Sequence, residues 1–159
     1  MWTLLNTNQA STADRIRVGF NLQYVARVLV RARSTPGVTL LEQGPYQGVW
    51  SVGLRSSIDW SLIFDRFDQF LSRTAPDLVV LVEADTDTIV NRLRSREGGD
   101  TRFTPDTPAF NRGVEGYKLL KTQVQSTDAF ESIIVENETW TDLGESANRV
   151  AAAVNSFQD

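Results

Sequence analysis

Apolar residues follow two rhythms along this chain, recurring at three and four in some stretches and running consecutively in others. Across residues 14–33, Ile16, Phe20, Tyr24, Val25 and Val28 recur at helical spacing, which predicts an amphipathic helix. Its expected buried face is that row, with Arg15, Arg17, Arg27, Arg31 and Arg33 largely on the wet side. Ser11 and Thr12 offer a cap, and Ser34-Thr35-Pro36-Gly37 stops the helix. Residues 2–5 (WTLL) fit a short strand or a helix end. A short buried strand is expected over residues 38–41, broken by Gly44-Pro45. Residues 46–54 predict a helix or turn. Residues 60–72 predict another helix, with Leu62, Ile63, Phe67, Phe70 and Leu71 on one side.

The clearest strand is DLVVLVEA, residues 77–84, where an unbroken apolar run predicts a strand covered on both faces, as in a parallel sheet. Asp85-Thr86-Asp87 caps a helix running to about Arg96 and places carboxylates at its positive end. Glu97-Gly98-Gly99-Asp100 is a break, and residues 101–110 read as an irregular loop. A helix follows over 111–125, then a strand over 131–136. Thr139-Trp140-Thr141-Asp142 reads as a capping box opening a last helix that ends near Phe157. Strands alternating with helices predict a single α/β domain over 1–159 with a mostly parallel sheet.

Composition narrows the chemistry. The 159 residues contain neither cysteine nor histidine. Disulfides, thiolate chemistry, the Ser-His-Asp arrangement and the usual zinc sites are therefore excluded. Carboxylates, Arg, Lys and Tyr remain, with a hard metal such as Mg²⁺ as their natural helper. A net charge of -4 gives no global attraction to nucleic acid or anionic lipid. No apolar run approaches the roughly 18 residues of a membrane span, and MWTLLNTNQ lacks a basic n-region. The expectation is a cytoplasmic protein without nucleic-acid or membrane partners.

Two groupings could carry chemistry. Glu42, followed by Gln43 and Gly44, would lie at the carboxyl end of a strand, where open parallel sheets bind ligands. There it could hold Mg²⁺ through water or accept a proton, or it is a solvated strand-end acid. Gly44 would let the backbone turn sharply, and Arg55 lies soon after, within reach of an anion or simply on the surface. The second grouping is Arg92, Arg94 and Arg96, with Arg102 beyond a Gly-Gly hinge. Guanidinium forks match phosphate, but basic residues also belong at a helix C-terminus. Asn137-Glu138-Thr139, on the expected strand-end rim, either contacts a base or ribose or leads into the cap. Trp50 and Trp60 read as packing residues.

The order of these pieces resembles the P-loop nucleoside and nucleotide kinases, closest to the thymidylate kinase-like group. The resemblance covers most of residues 14–157 and is most specific in APDLVVLVEADTDTIVNRLRSR. It implies a three-layer α/β/α, P-loop NTPase-like fold that transfers the ATP γ-phosphoryl group to a nucleotide or other small acceptor, with ATP and Mg²⁺ as cofactors. By the same resemblance Glu42 takes the place of the strand-end Asp that positions metal or acceptor, and Gln43, Gly44 and Arg55 lie on the acceptor side. Arg92, Arg96 and Arg102 would clamp the phosphoryl group from a lid over about 92–110, and Asn137 would lie near the base. The chain departs from the family at the front. No Gly-x-x-x-x-Gly-Lys-Ser/Thr loop occurs, and the only lysines are Lys118 and Lys121. The first strand and phosphate loop are thus expected to be absent, leaving a partial kinase inactive alone. A slot left in the sheet by the absent strand would favour self-association, unless residues 38–42 and 78–83 pair directly or residues 2–5 fill it. A complete but non-catalytic degenerate domain, and an unrelated α/β enzyme using Glu42 as a base, are the alternatives.

Overall fold

Ser11 starts the first helix, α1 (Thr12–Arg33), by accepting the Asp14 backbone N–H and donating its hydroxyl to the Asp14 carboxylate at 2.7 Å. The structure, a computed structural model, describes residues 11–54, 56–95, 104, 105 and 107–157. After α1 come α2 (Pro45–Leu54), α3 (Trp60–Arg73), β1 (Leu78–Glu83), α4 (Thr86–Ser95), α5 (Pro108–Gln125), β2 (Glu131–Glu136) and α6 (Trp140–Ser156). Among the described residues the protein is mixed α/β, with six helices and one two-stranded parallel sheet. The chain divides into two compact units, Met1–Ala75 with Arg112–Gln123, and Pro76–Asn111 with Val124–Asp159.

In the first unit α1 buries Val18, Leu22, Val25 and Leu29, a row at i, i+4, i+7 and i+11 that is one helical face. The expected face is therefore corrected. Of its members only Val25 is buried, and Ile16, Phe20 and Tyr24 are exposed. Apolar residues occur on both sides of this helix, so periodicity finds two stripes and packing selects one.

Residues 38–41 are not a strand, and Leu40 is 81% exposed. They pair neither with 78–83 nor with any other described strand. Residues 2–5 lie outside the described residues. The apolar run was too short to specify a strand without a ladder partner. Glu42 consequently sits in an exposed bend rather than at a strand end. Gly44 does not make a glycine-only turn either, because its φ is ordinary and a Cβ there would meet nothing. Its carbonyl instead accepts the Gly48 N–H at 3.1 Å, and Pro45 opens α2 at the first helical position, where no N–H is needed. The left-handed glycine of this connection is Gly37, at φ 93°.

Trp60, the first residue of α3, is 2% exposed and organises this unit. Its ring fills the space left by two glycines. A Cβ built on Gly53 would stand 1.9 Å from the ring, and one on Gly116 would stand 2.2 Å from it. Trp60 Nε1 donates to the Arg112 carbonyl at 3.1 Å, and Trp50 Nε1 donates to the Gly113 carbonyl at 3.0 Å. The Arg112 guanidinium lies 5.0 Å from the Trp60 ring centroid. Its Nε donates to the Gly53 carbonyl at 2.8 Å, and its Nη2 donates to the Ile58 carbonyl. Both tryptophans are packing residues, as their sequence context implied.

Tyr46, buried in α2, has its pKa pushed up to about 12, first by burial and then by the Asp68 carboxylate. The unfolded phenol ionises near its ordinary value of about 10. Between the two values the unfolded chain has lost a proton that the folded chain keeps. Stability linked to Tyr46 is thus complete below pH ~10 and falls as pH rises toward ~12. Tyr46→Phe is expected to flatten the alkaline limb of a stability–pH curve measured by urea unfolding. An unchanged limb would contradict the assignment.

In the second unit β1 and β2 pair parallel, from Leu78 opposite Glu131 to Glu83 opposite Glu136. α6 packs against β2, and Val135 is buried. The expectation of a strand covered on both faces is corrected for β1. Val79 and Leu81 are buried, while Val80 and Val82 are exposed. The sequence run is uniformly apolar, yet burial alternates along it with the two-residue period of a strand.

Candidate functional site

The carboxyl ends of β1 and β2 lie side by side, and the loops leaving them form the rim of the second unit. The ladder continues one step past β2, where the Asn137 N–H donates to the Glu83 carbonyl at 2.8 Å. The loops are then tied together by side chains. The Asp85 N–H donates to the Glu138 carboxylate at Oε1. Arg92, on α4, donates from Nη2 to the Glu138 carbonyl at 3.0 Å.

An acid takes part in the cap at the start of each helix on the rim. Asp85 Oδ1 accepts the Thr88 N–H at 2.6 Å at the start of α4. That bond is the largest cause holding the Asp85 carboxyl below its usual range. At the start of α6, Thr139 Oγ1 accepts the Asp142 N–H at 3.2 Å, and Asp142 Oδ2 accepts the Thr139 N–H at 2.7 Å. This is the capping box expected from the sequence. The Asp142 carboxyl is lowered, first by that Thr139 amide.

Of the residues singled out in the sequence, Arg92 and Asn137 are on this rim. Glu42, Gln43 and Gly44 belong to the first unit, before α2, where Glu42 and Gln43 are exposed. Arg55, Arg96 and Arg102 lie outside the described residues. Sequence reasoning placed Glu138 on the rim within Asn137-Glu138-Thr139 but did not find its role, in which its carboxylate and carbonyl hold both loops. It did not single out Arg112, Gly53 and Gly116. Glycines inside helical patterns were the available signal, because their cost in helix propensity implies a close approach.

The chemistry of the rim follows from its donors. The Asp85, Glu138 and Asp142 carboxylates already accept backbone N–H groups, so they act as caps and ties. Among the described residues no group of three or more acidic side chains is placed to hold a metal ion. Arg92 is exposed, and its bond to Glu138 uses one of the five N–H donors of a guanidinium.

Fold and rim together define a mixed α/β protein whose parallel strand pair ends in two cross-tied loops, one of them held by an arginine from α4. No family model, curated protein or solved structure matches the chain.

Proposed function

We propose that the chain is the rim-and-lid portion of a P-loop kinase-like phosphotransferase, binding the phosphates of Mg²⁺-ATP without catalysing transfer by itself. In this reading it belongs to a three-layer α/β/α architecture of the P-loop NTPase type. The supporting observation is Arg92. The helix after β1 brings its guanidinium to the loop after β2, at the carboxyl ends of a parallel pair. Ligands of open α/β sheets bind at such ends. Asn137, on the same loop, would lie toward the base. The acceptor would be a nucleotide or another small molecule. Transfer requires a preorganised cradle for the phosphates, and these 159 residues contain no phosphate-loop motif.

Calorimetric titration with Mg²⁺-ATP tests the proposal. Saturable binding is expected, with Arg92→Ala weakening it by about tenfold or more, the effect of losing a charge-assisted bond. No γ-phosphoryl transfer to a nucleotide panel is expected from the chain alone. Equal binding by both proteins, or none by either, would contradict the proposal.

A second reading, a non-catalytic domain that serves interaction, is favoured by Glu42. The acid expected to act at a strand end lies in an exposed bend outside any strand.

A further inference from the structure

The helix α1 buries one apolar stripe and exposes another. Ile16, Phe20 and Tyr24 are 55%, 68% and 63% exposed. At i, i+4 and i+8 they form one ridge about 12 Å long. At about 100° per residue Arg27 falls between Ile16 and Phe20 around the axis, and Arg31 between Phe20 and Tyr24, both toward the C-terminal end. Arg17 borders the same ridge, and all three arginines are exposed. The helix has a single acid, Asp14, and that acid is buried. A chain of net charge -4 thus carries an outward helix face that is apolar and cationic, without a carboxylate.

We propose that this face docks an amphipathic helix of a partner protein, with an apolar stripe against Ile16, Phe20 and Tyr24 and acidic residues beside and past the end of that stripe against Arg17, Arg27 and Arg31. An i, i+4 ridge is the surface that fits the groove of another helix, and the arginines select acidic flanks. Other occupants fit less well. An anionic membrane suits a helix whose arginines flank the apolar stripe, but here Arg27 falls within the stripe and would be carried beneath the headgroups. A second copy meeting the same face would place arginine against arginine with no acid to pair them. Nucleic acid would use the charges and leave the ridge in water. The proposal does not depend on the phosphotransferase reading.

The test uses the full chain and a fluorescein-labelled acidic peptide, built with leucines at helical seam positions and glutamates beside them. Saturable anisotropy is expected, weakening with salt. Phe20→Asp should abolish binding, and Arg27→Glu with Arg31→Glu should weaken it at least about tenfold. All three positions are exposed, so the variants should keep the wild-type circular dichroism melt. The same peptide with lysines in place of glutamates should not bind. No binding of the acidic peptide, or equal binding by wild type and both variants, would overturn the proposal. So would co-sedimentation with phosphatidylglycerol-containing vesicles, or a wild-type dimer in sedimentation velocity, if Phe20→Asp removed either.

Discussion

Gly53→Ala is expected to cost its unit more than about 3 kcal/mol, at the upper end of what overpacking does. The added Cβ would stand 1.9 Å from the Trp60 ring, and the ring has little room to retreat. Arg112 lies over it, Phe64 stacks near it at a centroid distance of 6.0 Å, and its Nε1 is bonded to a carbonyl. Gly116→Ala should behave alike, since its Cβ would lie 2.2 Å from the same ring. The direction is diagnostic. Both glycines lie inside helices, where alanine would otherwise stabilise by about 1 kcal/mol through propensity. Urea unfolding followed by tryptophan fluorescence reads the effect. Neutral or stabilising alanines would mean that Trp60 does not occupy the space between them.

Trp60→Ala is expected to cost about 3–5 kcal/mol, the range for removing a large buried aromatic. It also takes the indole donor from the Arg112 carbonyl and the π-face from the Arg112 guanidinium. With the ring gone, Gly53→Ala has nothing left to strike. In the Trp60→Ala background it should be neutral or mildly stabilising, giving a coupling of several kcal/mol between adjacent sites. Additive effects would contradict the packing described.

These positions also show which parts of the fold could be read from sequence. Caps were legible because their chemistry is local. Ser11, Asp85 and the Thr139/Asp142 box each act within three residues, and all three are present. The strands 78–83 and 131–136 were legible because each apolar run is bounded by polar residues. Tertiary selection was not. α1 offers two apolar stripes, and only contact with the rest of its unit chooses Val18, Leu22, Val25 and Leu29. The run VTLL looks like a strand in isolation, yet a strand exists only with a partner, and 38–41 has none among the described residues. On the rim, Arg92 was legible as a basic residue in the last turn of its helix. The role of Glu138 was not legible, because it requires two loops to be adjacent in space.

We propose that Mg²⁺-ATP meets the carboxyl rim of the parallel pair through Arg92. The most direct measurement is an amide NMR titration of isotopically labelled protein with Mg²⁺-ATP. Saturable shifts should concentrate at Thr88, Arg92, Asn137 and Glu138, and disappear in Arg92→Ala. Shifts confined to other residues, or identical shifts in the variant, would contradict the claim.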